Sequence, residues 1–261
     1  MYDLTLEEIM STDIVGVPVN VPAQTVLEQM WHKKVSCIFA LDNKKPVGIL
    51  TERAVARRGV SGFDFSQATM KDMMNSPITT APMTMTLPDA CQILGKNGYR
   101  HLPVVDGSNI IKGVVTLSDI VDGLGFDFFC SNITVDKVMT PIVETVHPDT
   151  SLLEAAAAMV EKGHSCIVVA HNQQTKADYT MGIITERDVA RLILGGLDLS
   201  VVTVAQAMNS PVDTVPVSAT VDKAVMYMKQ KGIRRLVVTY GMNNVAGLLT
   251  QSNIIRWLTA K

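Results

Sequence analysis

Nowhere in the 261 residues does an apolar run approach the roughly 18 residues that a membrane-spanning helix needs. The first residues, MYDLTLEEIM, are acidic where a secretory leader would be basic and then apolar. Both absences point away from the membrane and the secretory route, toward a cytoplasmic protein. Cysteine is scarce and scattered: Cys37, Cys91, Cys130 and Cys166 show no CxxC spacing. They offer neither a disulfide framework nor a thiolate metal site, and suit buried thiols in a reducing compartment. The five histidines, His32, His101, His147, His164 and His171, fall on different elements without HxxH or HExxH spacing, so no metal is expected. P-loop, GxGxxG and GxSxG patterns are also missing, and with them the usual signatures of nucleotide hydrolases, dehydrogenases and esterases. No nucleophile or acid–base pair emerges, so catalysis is not expected. Excess charge is lacking too. The 23 Lys and Arg against 25 Asp and Glu leave a formal charge of -2, which excludes a chain-wide nucleic-acid footprint.

What the sequence does have is apolar surface and repetition. Hydrophobic residues make up 47% and charged residues 18%, ample for a well-buried core. One short pattern recurs as Gly48-Ile-Leu-Thr51, Gly113-Val-Val-Thr116, Gly182-Ile-Ile-Thr185 and Gly247-Leu-Leu-Thr250. Thr51 to Thr116 and Thr185 to Thr250 are each 65 residues, and Thr51 to Thr185 is 134, so the two halves are copies. Thr51-Glu-Arg-Ala-Val-Ala-Arg57 matches Thr185-Glu-Arg-Asp-Val-Ala-Arg191, and Met74-Asn-Ser-Pro77 matches Met208-Asn-Ser-Pro211 at the same offset. Ser36-Cys37-Ile38 and Ser165-Cys166-Ile167 lie 129 apart instead, which places five extra residues in the polar stretch His171–Asp178.

Each copy reads as an extended segment, an amphipathic helix, two apolar strands and a second helix that starts at the Thr. In the third copy these begin with Ile142–Val146 and the helix Leu152–Val160. In the second, Leu102–Val105 and Ile110–Val115 flank Asp106-Gly107-Ser108, a spacing that suits a hairpin with Gly107 at positive φ. Linkers are expected at Ser61–Ser66, Asp122–Phe129 and Gly195–Ser200. The repeats then span 1–60, 67–124, 132–195 and 200–261, and each is small enough to need a neighbouring repeat to complete its core. The methionines clustered at Met70, Met73, Met74, Met83 and Met85 read as gap-filling or inter-repeat packing.

These residues resemble the cystathionine-β-synthase (CBS) domain family, whose copies carry a Met near the start, a β-α-β-β-α order and a final strand ending in Gly-h-h-Thr-x-x-Asp, where h is hydrophobic. The resemblance implies an α/β (α+β) fold of four tandem repeats paired into two Bateman modules, 1–124 and 132–261. It also implies a regulatory site for an adenine nucleotide, AMP, ADP, ATP or S-adenosylmethionine, with Thr and Asp facing the ribose and adjacent phosphate. Carried onto this sequence, the motif is intact as Thr116 and Asp119 and as Thr185 and Asp188. The fourth copy has Thr250 with Asn253, which lacks the charge, and the first has Thr51 with Ala54, which has no polar group. One good cleft per module follows. The same Thr-x-x-Asp spacing also suits a helix-capping box that needs no ligand.

Basic partners for a phosphate are expected at Arg100 and His101 and at Arg234 and Arg235, where the alternative is a strand edge guarded by charge. Ile78, Ile142 and Val212, read as first-strand residues, would line the adenine slot or simply pack in the core, with Thr140 and Ser76 as polar neighbours. The expected role is that of a homodimeric sensor without catalysis or resident cofactor that passes ligand occupancy to an effector protein or output domain. The competing reading is a ligand-independent dimerisation or interaction scaffold with degenerate sites.

Overall fold

Four short Thr-led segments organise the chain. In the computed structural model, which describes residues 4–124, 133–141, 143–170, 180–241 and 244–260, each segment packs on a repeat other than the one that follows it in sequence. The first is α1 (Leu6–Ile9), capped by Thr5. Repeat 1 follows as β1 (Gly16–Pro18), α2 (Ala23–His32), β2 (Cys37–Asp42), β3 (Lys45–Thr51) and α3 (Glu52–Val60). After the second segment, α4 (Met70–Met73), repeat 2 consists of β4 (Ala81–Pro82), α5 (Leu87–Asn97), β5 (His101–Val105), β6 (Ile111–Thr116) and α6 (Leu117–Leu124).

A 3-10 turn at Val135–Lys137 forms the third segment. Repeat 3 is β7 (Thr145–Val146), α7 (Leu152–Glu161), β8 (Cys166–Ala170), β9 (Thr180–Thr185) and α8 (Glu186–Leu194). The fourth segment, α9 (Val204–Ala207), leads into repeat 4: β10 (Thr214–Pro216), α10 (Val221–Lys231), β11 (Arg235–Tyr240), β12 (Asn244–Thr250) and α11 (Gln251–Thr259). Every repeat has one three-stranded sheet in which the first strand runs parallel to the second and the second antiparallel to the third. The β-α-β-β-α order is therefore as the sequence indicates. No described helix is long and apolar enough to cross a membrane.

Several local expectations need correction. Gly107 does not take the positive φ; Asn109 does, at 61°. The Asp106 carboxylate accepts from the N–H groups of Ser108 and Ile110 at 2.9 and 3.0 Å, and Asn is the side chain that best tolerates a left-handed turn position. Asp122–Leu124, read as linker, form the last turn of α6. Ile78 and Val212 stand before the first strands rather than in them. The stretch His171–Asp178, Ile142 and residues 125–129 of the second linker lie outside the described residues. Pairing of Ala170 with Thr180 nonetheless puts the extra residues between those two positions.

The chain divides into two compact units, one of residues 1–13, 79–143 and 212–261, the other of 14–78 and 144–211. Each unit takes one repeat from each half of the sequence. In the second, α3 packs against α8 and α7, and Ala56 joins the core of repeat 3 while Ala190 joins that of repeat 1. In the first, α11 packs against α5 and α6 over a core that includes Leu94, Leu102, Ile120, Leu236 and Ile254.

The Thr-led segments set where the boundaries of these units fall in the sequence. Residues 5–11 bind repeat 2, with Leu6 N–H donating to the Met85 carbonyl at 2.9 Å and Ser11 and Val114 exchanging backbone bonds at 3.0 and 2.9 Å. Residues 69–75 bind repeat 1, where Asn75 and Ile49 exchange the same pair of bonds. In the other half, Thr140 pairs with Leu248 of repeat 4, and Asn209 with Ile183 of repeat 3. The exchange is reciprocal within each half of the chain: each repeat is completed by the segment that precedes its sequence neighbour.

Candidate functional site

The Gly of each Gly-h-h-Thr is where the exchanged segment lands. A Cβ on Gly182 would stand 2.4 Å from Met208 Sδ, and one on Gly48 the same distance from Met74 Sδ. In repeats 2 and 4 the neighbour is backbone as well as a Met side chain: a Cβ on Gly113 would be 2.7 Å from the Ser11 carbonyl oxygen, and one on Gly247 2.5 Å from that of Thr140. Only hydrogen at Cα permits this approach. The motif Met therefore works on a different repeat from the one its sequence position suggests.

Three residues beyond the Gly, the Thr caps a helix. The Thr185 N–H and hydroxyl both donate to Asp188 Oδ2, at 2.9 and 2.6 Å, and the Asp188 N–H donates back to Thr185 Oγ1 at 3.3 Å. Repeat 2 repeats the geometry: Thr116 donates to Asp119 Oδ2 twice at 2.7 Å and accepts from the Asp119 N–H at 3.4 Å. Thr250 and Asn253 form the same box, through Asn253 Oδ1, at 2.9, 2.6 and 3.1 Å. In repeat 1 the Ala54 N–H donates to Thr51 Oγ1 at 3.3 Å, but the Ala54 methyl returns nothing. The capping role is thus real in three repeats and half-formed in the first.

Capping does not exhaust these side chains. Among the described residues every hydrogen bond to the Asp119 and Asp188 carboxylates goes to Oδ2, which leaves Oδ1 able to accept from a ligand hydroxyl. The boxes sit half-buried at the N-termini of α6, α8 and α11, where unpaired N–H groups and the helix dipole favour an anion. Arg100 and His101 lie beside this terminus in repeat 2, since His101 pairs with Thr116 across the sheet and the Leu117 N–H donates to the Arg100 carbonyl at 3.3 Å. Arg234 and Arg235 repeat the placement beside Thr250 and Gln251.

The exchanged segments add polar groups, of which Asn209 was not assigned from sequence. Asn209 Nδ2 donates to Asp188 Oδ2 at 3.0 Å, so residues from both sides of the Gly182 contact meet at one carboxylate. In repeat 4, Asn253 Nδ2 donates to Thr140 Oγ1 at 3.0 Å, which brings together two residues singled out separately. Ser76 belongs to the repeat 1 cleft, its hydroxyl donating to the Val47 carbonyl at 2.8 Å. Val212 and Ile78 lie three residues after Asn209 and Asn75 in sequence. The signal for Asn209 was the shared Met-Asn-Ser-Pro run, which marks equivalence without showing the repeat it serves.

In the unit of repeats 1 and 3, the two capped helices are tied to each other. Arg53 Nε lies 2.8 Å from Glu186 Oε1, and Arg187 Nε lies 2.9 Å from both oxygens of Glu52. These reciprocal ion pairs use the two residues that follow Thr51 and Thr185. Repeats 2 and 4 have instead a hydrogen bond from the Ser118 hydroxyl to Gln251 Oε1 at 2.9 Å. Cys37, at the strand end beside Thr51, is buried, and desolvation together with Glu52 pushes its thiol up to about 12. Burial likewise pushes Cys91 up to about 11. Neither behaves as a thiolate nucleophile near neutral pH.

The CBS domain family matches residues 6–61, 70–125, 135–195 and 204–260. The chain belongs to the CBS-domain family. Its four CBS repeats and their reciprocal exchange within each half accord with two Bateman modules. An inosine-5'-monophosphate dehydrogenase of Nitrosopumilus maritimus is 32% identical over 162 residues, which make up 60% of this chain and 32% of the enzyme. This chain thus spans about a third of that relative. The uncharacterized protein MJ1225 of Methanocaldococcus jannaschii is 30% identical over 207 residues, 72% of this chain and 71% of that one. The MJ1225 crystal structure superposes with a TM-score of 0.84 at 18% identity, covering 98% of this chain and 100% of that chain. A conserved protein from Pyrococcus horikoshii gives a TM-score of 0.65 at 19% identity over the same shares. Both structures share the four-repeat CBS fold.

Proposed function

We propose that this CBS-domain protein is a regulatory sensor of adenine nucleotides or S-adenosylmethionine, with its principal clefts at Thr116 and Asp119 and at Thr185 and Asp188. The observation that carries this reading is the node at Asp188, where a helix cap, a free carboxylate oxygen and the exchanged Asn209 converge. Oδ1 of the aspartate accepts from a ribose hydroxyl, the helix N-terminus faces a phosphate, and Arg100, Arg234 and Arg235 supply positive charge to the clefts of repeats 2 and 4, with His101 a further hydrogen-bonding partner. Ile78 and Val212 are the apolar residues proposed to receive the adenine ring. Family membership supports the same class of ligand. A match to 32% of a dehydrogenase does not carry its activity over, and the role proposed is transmission of occupancy to a partner or an attached output domain.

Occupancy reaches beyond the cleft because the groups that hold ligand also hold structure. A ligand that draws Asp188 away from Asn209 loosens the segment containing α9, and one that shifts the start of α8 alters the Glu52–Arg187 and Arg53–Glu186 pairs. Titration calorimetry with AMP, ADP, ATP and S-adenosylmethionine tests the reading, with thermal midpoints measured in parallel. A nucleotide at about 100 times its Kd stabilises the fold by about 2.7 kcal/mol. The expected result is saturable binding weakened by Asp119→Ala and Asp188→Ala. Absence of heat and of any midpoint shift with all four ligands overturns it and favours a ligand-independent scaffold, which the three complete capping boxes would also sustain.

A further inference from the structure

The C-terminal end of α2 carries a feature that the other repeats lack. Each repeat's first helix ends in a residue with left-handed backbone, and in repeats 2, 3 and 4 that residue is glycine: Gly98, Gly163 and Gly232, with φ of 65°, 68° and 66°. In repeat 1 it is Lys34, at φ 53°. The chain reversal is the same, since the Val35 N–H donates to the Met30 carbonyl at 3.3 Å just as His164 donates to Met159 at 2.8 Å. Lysine therefore bears a conformational cost that glycine avoids in the three sister repeats.

Lys34 lines a cavity of about 420 Å³ between α2 and α8, within the unit of repeats 1 and 3. Met30 and Ala190 are buried in its floor and Leu194 adds an apolar wall, while Trp31 is 46% exposed at its side. Lys34, just past the end of α2, and Arg191 of α8 bring positive charge to it. The one carboxylate in the lining, Glu52, is already engaged by Arg187. Among the described residues no acidic group forms an ion pair with Lys34 or Arg191. An apolar floor, an open indole and two unneutralised cations form a pocket of ordinary ligand size.

We propose that this cavity is a second ligand site, distinct from the Thr-x-x-Asp clefts, for a small organic anion with an aromatic body. The ring lies against the Trp31 indole and over Met30 and Leu194, and the carboxylate sits between Lys34 and Arg191. Lysine at a glycine position is explained as the group that completes this anion site. The ligand would wedge between α2 and α8 beside the Glu52–Arg187 pair, giving the protein an input chemically independent of adenine.

The test uses the full chain and phenylacetate as the probe, read by the indole N–H resonances of Trp31 and Trp257, with Trp31→Phe assigning the first. The expected result is a saturable shift of the Trp31 signal alone, absent with the neutral phenylacetamide and still obtained at saturating AMP. Lys34→Gly should weaken phenylacetate binding about tenfold while the thermal midpoint holds or rises, because glycine suits the backbone. Arg191→Gln should weaken binding similarly. No saturable Trp31 shift, equal response to acid and amide, displacement by AMP, or unchanged affinity in a folded Lys34→Gly protein would each overturn the proposal.

Discussion

The Asn209 side-chain amide donates to Asp188 Oδ2 at 3.0 Å, joining the segment ahead of repeat 4 to the helix cap of repeat 3. One carboxylate thus serves the cap, the exchanged segment and the proposed ligand. Asp188→Ala should cost about 1 to 2 kcal/mol, typical of a lost N-cap partner with one further hydrogen bond, and should also weaken nucleotide binding more than tenfold. Asn209→Ala should cost less than about 1 kcal/mol and leave the cap intact. Urea unfolding beside calorimetry separates the two effects, and equal losses of affinity in both variants would contradict the division of labour.

The reciprocal pairs between α3 and α8 yield a second expectation. The side chain of Glu186 is 8% exposed and that of Arg53 30%, so removing the acid strands a guanidinium at a partly desolvated site. Glu186→Ala should destabilise by about 1 to 3 kcal/mol, below the range for a fully buried pair because Arg53 retains water. Exchanging the charges in the Arg53→Glu, Glu186→Arg double variant should recover part of that loss. A double-mutant cycle with no coupling would show that this pair adds nothing to the helix packing and the Glu52–Arg187 pair between repeats 1 and 3.

Glycine at the exchanged contact separates odd from even repeats. In Gly182→Ala the new methyl meets chiefly Met208, a flexible side chain, and the cost of about 1 to 3 kcal/mol should be partly relieved by Met208→Ala. Gly247→Ala instead meets the Thr140 carbonyl oxygen, so Met139→Ala should give little relief. Thermal unfolding of the two pairs of variants distinguishes them. Equal rescue in both would mean that the backbone of residues 139–140 shifts freely.

The repeat pattern was legible because its residues meet local requirements. Gly admits the Met, Thr caps the next helix, and apolar spacing marks the helix and strands of each copy. The cap also explained itself from Thr-x-x-Asp spacing, while its carboxylate's further partner did not. Met208-Asn-Ser-Pro211 reads as the start of repeat 4, yet Asn209 pairs with Ile183 in repeat 3. Local pattern reports that a strand edge or cap is present, and a short segment carries no mark of which distant edge it joins. Turn chemistry misled for a related reason: Gly107 drew attention, but the Asp106 carboxylate organised the loop so that Asn109 took the left-handed position.

Alkaline pH should expose the burial of Cys37. Its thiol is pushed up to about 12 from an ordinary value of 9.0, so the folded chain retains a proton that the unfolded chain releases. The resulting contribution to stability is complete below pH 9.0 and is lost as pH rises from there toward about 12. Urea midpoints should therefore fall across this window more steeply in the native protein than in Cys37→Ala. Identical slopes would mean that the thiol meets solvent.

Asn253 offers the most direct test of why the clefts differ. It forms the same helix cap as Asp188, so the fourth repeat already has the geometry of an intact cleft and lacks only the carboxylate charge. Its amide donates to Thr140, and an aspartate there could instead accept from the Thr140 hydroxyl, which keeps the exchanged segment attached. Asn253→Asp should thus preserve stability to within about 1 kcal/mol and strengthen the weak cleft by about tenfold, since a hydrogen bond to a charged acceptor is worth more than one to an amide. Calorimetry should register this as an added or tightened binding event. An unchanged isotherm in a stable variant would place the difference among the repeats in the neighbouring basic and apolar residues, with Arg234 and Arg235 the next to substitute.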